Sequence, residues 1–218
     1  MIWKNLKIEL IVVKEEIIIK EIIEEIIGDI NMNGMYSKLP RCVYLKNERF
    51  IINTDYRIFI EYEWEIMQGE DTKKSSLKAL QSFYPAFSLI LQKGLLEEAI
   101  DKFVWFYKCG KDKLPKKSKG KGSNKRAFDY KEDDLLIWGA FKTYFKIDLS
   151  TNYLHWWKFK ALWETLPQEA EFTKIKGYRT YDGKDKDILE LQEYYSLGET
   201  KAEIEDRIRR DKIYESLK

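Results

Sequence analysis

His155 is the only histidine in the chain and stands in the run Leu154-His155-Trp156-Trp157-Lys158-Phe159. Acid–base work by an imidazole needs an orienting carboxylate and a reactive partner. No spacing in the sequence supplies either, so His155 reads as a packed or hydrogen-bonded structural residue. Cys42 and Cys109 are the only cysteines and fit no C-x-x-C spacing. A zinc site would need further ligands that one histidine cannot provide, and two reduced thiols are expected. Glu61, Glu63 and Glu65 alternate with aromatic residues, and Glu132, Asp133 and Asp134 open a helix. With 37 acidic residues in the chain such groupings are unavoidable, and both read as solvated helix faces rather than paired catalytic acids. Residues 110–123 hold the lysines, glycines and serine of a phosphate loop, but not in the order G-x-x-x-x-G-K-[ST]. The sequence therefore predicts no catalytic residue, no metal and no cofactor.

Two features point to binding instead. Residues 108–126 carry nine basic side chains against one acid. The region about 110–127 has the composition of a flexible loop, with Lys116, Lys117, Lys119, Lys121, Lys125 and Arg126 as its basic groups. These could hold nucleic-acid phosphates without reading sequence, lie on an acidic protein surface, or keep the loop soluble. The second feature is aromatic. Trp156, Phe159 and Trp163 recur at three-and-four spacing, while Trp157 points about 100° away from Trp156. One neighbour cannot bury both rings. Either the helix is central to a bundle, or one ring is an interface anchor. Trp156, Trp157 and Phe159, extended by Tyr178 and Arg179, are the partner-binding candidates.

The elements that would position these groups are mostly helical. The chain has 218 residues, 44% of them apolar and 15% aromatic, enough for a substantial core. Its 35% charged residues nearly cancel to a net +2, so no uniform basic surface exists. Apolar runs at 43–45 and 50–52 flank Lys46-Asn47-Glu48-Arg49 as a short β-hairpin. Asn53-Thr54-Asp55 caps a helix to about residue 68, ended by Gly69. Further helices are expected at about 75–84, 95–107, 131–145, 153–166, 173–179, 187–195 and 199–215. The fold class is mainly α: a multi-helix bundle with a short N-terminal hairpin and a long basic loop. No repeat is visible, and no run approaches the roughly 18 uncharged apolar residues of a membrane span.

Residues 1–34 read as a separate Ile/Glu-rich helical extension to a single domain over 35–218. Ile19, Ile22, Ile23, Ile26, Ile27 and Ile30 share one helical face. No signal peptide is expected, because Glu9 and Lys14 interrupt the early apolar stretch. Gly28-Asp29-Ile30-Asn31-Met32 can also be reverse-translated as a ribosome-binding sequence before a start codon. On that expectation Met32 or Met35 begins the native product.

Several runs carry a family resemblance. They are Ile52-Asn53-Thr54-Asp55-Tyr56-Arg57, Phe106-Tyr107-Lys108-Cys109-Gly110 and Arg126-Ala127-Phe128-Asp129-Tyr130 after the Lys/Ser/Gly loop. Then come Tyr153-Leu154-His155-Trp156-Trp157-Lys158-Phe159-Lys160-Ala161-Leu162 and Phe172-Thr173-Lys174-Ile175-Lys176-Gly177-Tyr178-Arg179. In that order they resemble the bacteriophage "gene product fifteen" family, over about residues 36–195. The His-Trp-Trp-Lys-Phe run is the most specific piece, and the N-terminal extension lies outside the resemblance. The resemblance implies a tail-module protein of long-tailed phages and prophages, encoded between the tail tube and tape-measure genes. That gene slot commonly holds tail assembly chaperones. It further implies tape-measure and tail tube proteins as partners, with action in the host bacterial cytoplasm; self-association is a separate expectation, and the sequence itself predicts no membrane partner. A structural component of the virion tail is the alternative. Sequence-independent nucleic-acid binding through the basic loop is a third reading.

Overall fold

The structure is a computed structural model that describes residues 38–111 and 125–216. The chain divides into two compact units, Met1–Cys42 and Val43–Lys218, and the helices described here belong to the second. The expected N-terminal helix and Lys116, Lys117, Lys119 and Lys121 lie outside the described residues.

Strands β1 (Cys42–Leu45) and β2 (Glu48–Ile51) form a two-stranded sheet. Its turn is only Lys46-Asn47, both at positive φ (45° and 66°). That is the two-residue turn whose twist matches paired strands, so Glu48 and Arg49 belong to β2 and not to the turn. Nine α-helices follow among the described residues: α1 (Tyr56–Met67), α2 (Thr72–Phe83), α3 (Phe87–Gln92), α4 (Leu96–Tyr107), α5 (Asp134–Ala140), α6 (Trp156–Glu164), α7 (Glu171–Arg179), α8 (Lys186–Tyr194) and α9 (Lys201–Ser216). A π-turn, Phe141–Phe145, continues α5. The chain is mainly helical with an N-terminal hairpin, as its periodicity predicts.

Several boundaries differ from expectation for identifiable reasons. Helix α2 starts at Thr72 because Asp71 accepts from the backbone N–H groups of Lys73 (2.9 Å) and Lys74 (3.4 Å). Helix α5 starts later than residue 131 because Asp129 accepts from Lys131 N (2.8 Å) and Glu132 N (3.2 Å), holding a turn there. Helix α6 starts at Trp156, not 153, because His155 is its N-cap: Nδ1 accepts from Trp157 N at 3.1 Å. Position 155 also forms an antiparallel bridge with Asp55, the N-cap of α1. Tyr56 N donates to Leu154 O (3.0 Å) and Trp156 N to Thr54 O (2.8 Å). Two helices thus leave one shared bridge with their first turns locked side by side. This arrangement gives the lone histidine a structural role.

The core is aromatic. Phe59 on α1, Phe83 on α2, Phe106 on α4, Phe141 after α5, and Trp156 and Phe159 on α6 are all fully buried. Phe159 stacks between Tyr56 (4.8 Å) and Phe141 (5.1 Å). Tyr56 closes the stack by donating to Leu149 O at 2.8 Å.

Candidate functional site

The Trp-Trp pair faces inward on both sides. Trp156 is 0% and Trp157 is 7% exposed. Trp156 stacks on Phe59 (4.9 Å) and Tyr107 (5.9 Å), and its indole N–H donates to Tyr107 O at 2.9 Å. Trp157 lies against Phe106 (5.5 Å) and Trp105 (5.6 Å) and donates to Phe106 O at 2.8 Å. Phe106 and Tyr107 are the last two residues of α4, whose terminal carbonyls have no partner within the helix. The two indoles satisfy them from outside. The chain then turns at Gly110 with φ +71°, where an added Cβ would come within 2.9 Å of Trp157. Only glycine permits both that backbone and that approach.

Of the partner-binding candidates, Trp156, Trp157 and Phe159 are thus buried in the core, the central-helix alternative of the two readings. Arg179 is buried as well. It is 7% exposed and clamps Asp133 with two hydrogen bonds, 2.6 and 2.9 Å, while Nε donates to Tyr195 O at 2.6 Å. A guanidinium taken from water is held only where its donors are met, as they are here. Tyr178 is half-buried and stacks on Tyr195 (6.1 Å).

Two carboxylates expected on solvated faces are engaged by the fold, Asp133 in the interior and Glu63 half-buried. Asp133 is 2% exposed and accepts from Asp129 N (2.9 Å) as well as Arg179. Glu63 accepts from the phenols of Tyr107 (2.8 Å) and Tyr130. Burial, and then the neighbouring Glu63 charge, push both phenols well above the ordinary tyrosine range. They remain neutral donors. Asp129, 1% exposed, gathers Trp64 Nε1 (3.2 Å), Gln68 Nε2 (2.9 Å) and Arg126 (3.3 Å).

The described end of the basic loop is tied down. Lys125 donates to Gln192 Oε1 at 2.6 Å, and Arg126 reaches Asp129, Gly198 O and Glu203. The donors of these two basic-loop residues hold α8 and the start of α9. Both cysteines are free thiols. Burial pushes the Cys109 thiol up to about 11. No group of three or more His, Cys, Asp or Glu suited to a metal ion occurs among the described residues. No described helix is long and apolar enough to cross a membrane.

Surface that remains available lies elsewhere. On α4, Leu96, Ile100 and Val104 are 37%, 41% and 38% exposed. Four-residue spacing lines them up along one face. Glu97 and Asp101 border that line and are themselves exposed. The sequence contained this signal, since four-residue apolar spacing continues on α4 beyond the positions its core needs. Exposure could not be read from spacing alone.

No curated protein and no solved structure matched the chain. The family profile described as Bacteriophage Gp15 protein matches residues 35–202. That is well over half of the sequence, and it spans the hairpin, the aromatic core, the Asp133–Arg179 clamp and the start of α9. The chain belongs to the bacteriophage Gp15 family.

Proposed function

We propose that this phage protein is a tail morphogenesis factor, a tail assembly chaperone that works by binding in the host bacterial cytoplasm. Its clients on this reading are the tape-measure protein and tail tube subunits. The observation that carries the proposal is the exposed apolar line Leu96, Ile100 and Val104 on α4, bordered by Glu97 and Asp101. Amphipathic helices dock through anchors at such spacing. The carboxylate border selects a client helix whose apolar stripe is flanked by lysine or arginine. A long helical tape measure offers many such segments. The polar groups in and around the core support binding over catalysis: Glu63, Asp129, Asp133 and Arg179 are hydrogen-bonded to fold partners and hold the helices together.

Co-expression with the neighbouring tape-measure protein, followed by pull-down, tests this. Capture by the unaltered chain is expected, and Ile100→Glu should lower it at least tenfold with unchanged melting. Equal capture by Ile100→Glu would remove α4 as the docking face. Mass spectrometry of purified particles should lack the protein; a stoichiometric amount would establish a structural tail component instead.

A further inference from the structure

We propose that α9 pairs antiparallel with α9 of a second copy of this chain. The inference is independent of the tail-chaperone reading. Helix α9 runs for sixteen residues, Lys201–Ser216. Every side chain from 201 to 215 except Ala202 is exposed. Helices in proteins normally owe their stability to a packed face, and among the described residues nothing covers the sides of this one beyond Ala202.

Its base is nevertheless fixed. Thr200 Oγ1 accepts from Glu203 N (3.1 Å) and Glu203 accepts from Thr200 N (2.7 Å), closing a reciprocal cap. Ala202 N donates to Gln68 O at 3.3 Å, and Ala202 sits so close over Gly69 that an added Cβ there would be 2.5 Å from its own Cβ. Arg126 binds Glu203 from the other side. The helix is thus held at one end as a projecting rod. Beside it, a cleft of about 1220 Å³ separates it from α8.

Charge along the rod names the occupant. Residues 201–206 carry Glu203, Glu205 and Asp206 against Lys201, a net negative half, and residues 207–215 carry Arg207, Arg209, Arg210 and Lys212 against Asp211 and Glu215, a net positive half. A parallel neighbour would set like charge on like. An antiparallel copy sets each acidic half on a basic half, with Ile204 and Ile208, 37% and 44% exposed, near the crossing. The intrachain pairs Arg209–Asp206 (3.4 Å) and Arg207–Glu199 (3.1 Å) are solvent-exposed and therefore exchangeable. A two-fold axis makes the contact self-complementary and closed at two copies.

Sedimentation equilibrium of the full chain provides the test. A dimer is expected at low ionic strength, with its dissociation constant at least tenfold weaker at about 1 M salt, where screening acts within roughly 3 Å. Arg209→Glu with Arg210→Glu should be monomeric, as should Glu205→Lys with Asp206→Lys, each with the melting of the aromatic core, read by tryptophan fluorescence, unchanged. Mixed one to one, the two variants should restore a dimer. The proposal is overturned by an unaltered chain that stays monomeric at submillimolar concentration, by variants that dimerise like the parent, or by a mixture that does not associate.

Discussion

Helices α6 and α9 are both rich in large side chains, yet they serve opposite ends. Of nine residues in α6, Trp156, Trp157, Phe159 and Trp163 are buried. None of α9 is. Helix α6 is anchored along its length, by ring stacking and by indole hydrogen bonds to the end of α4. Among the described residues, helix α9 is anchored at its base. The difference separates two uses of large side chains: the aromatic residues build the body, and aliphatic and charged residues on α4 and α9 stay exposed.

That contrast can be broken or sharpened by substitution. Trp156→Ala should have the largest effect, about 4 kcal/mol, because it empties a fully buried ring site and strips a helix-end carbonyl; chemical denaturation measures it. Arg179→Ala should cost about 3 kcal/mol by leaving Asp133 buried and unpaired. Combining it with Asp133→Asn should recover part of that loss. Cys109 should react with a thiol reagent at pH 8 on the order of a hundredfold more slowly than an unperturbed cysteine. Its thiol is held up to about 11 by burial, so labelling should accelerate as pH rises towards that value. Arg210→Ala on α9 should change monomer stability by less than about 0.5 kcal/mol, measured well below the dimer dissociation constant.

Much of the fold was legible because its cues are local. The stripe of α1 with Asp55 before it, and α4 with its regular apolar spacing, fall where periodicity and caps put them. The six-residue α3 was not legible, since so short a run shows no period. The start of α6 was misplaced because Ser150, Thr151 and Asn152 are stronger capping types than histidine, yet a backbone bridge to Asp55 hands that task to His155. Thr200-Lys201-Ala202-Glu203 carried a reciprocal-cap signature that sets the start of α9.

The candidate site was less legible, because exposure depends on partners distant in sequence. Arg179 is of a residue type normally found at surfaces, and its clamp comes from Asp133, 46 positions earlier. Trp157 looked free to face outward until the end of α4 supplied Phe106 O, 51 positions away. Spacing places rings on two faces of α6; only the tertiary fold covers both.

The central claim is that a helical client docks on the outer line of α4 while the tryptophans of α6 stay inside. Covalent side-chain footprinting, with and without the tape-measure protein, tests this most directly. Labelling at Leu96, Ile100 and Val104 should fall on complex formation, with Trp156 and Trp157 unlabelled in both states. Unchanged labelling on α4 together with new reactivity at Trp157 would mean that the core opens to receive the client, and the claim would be wrong.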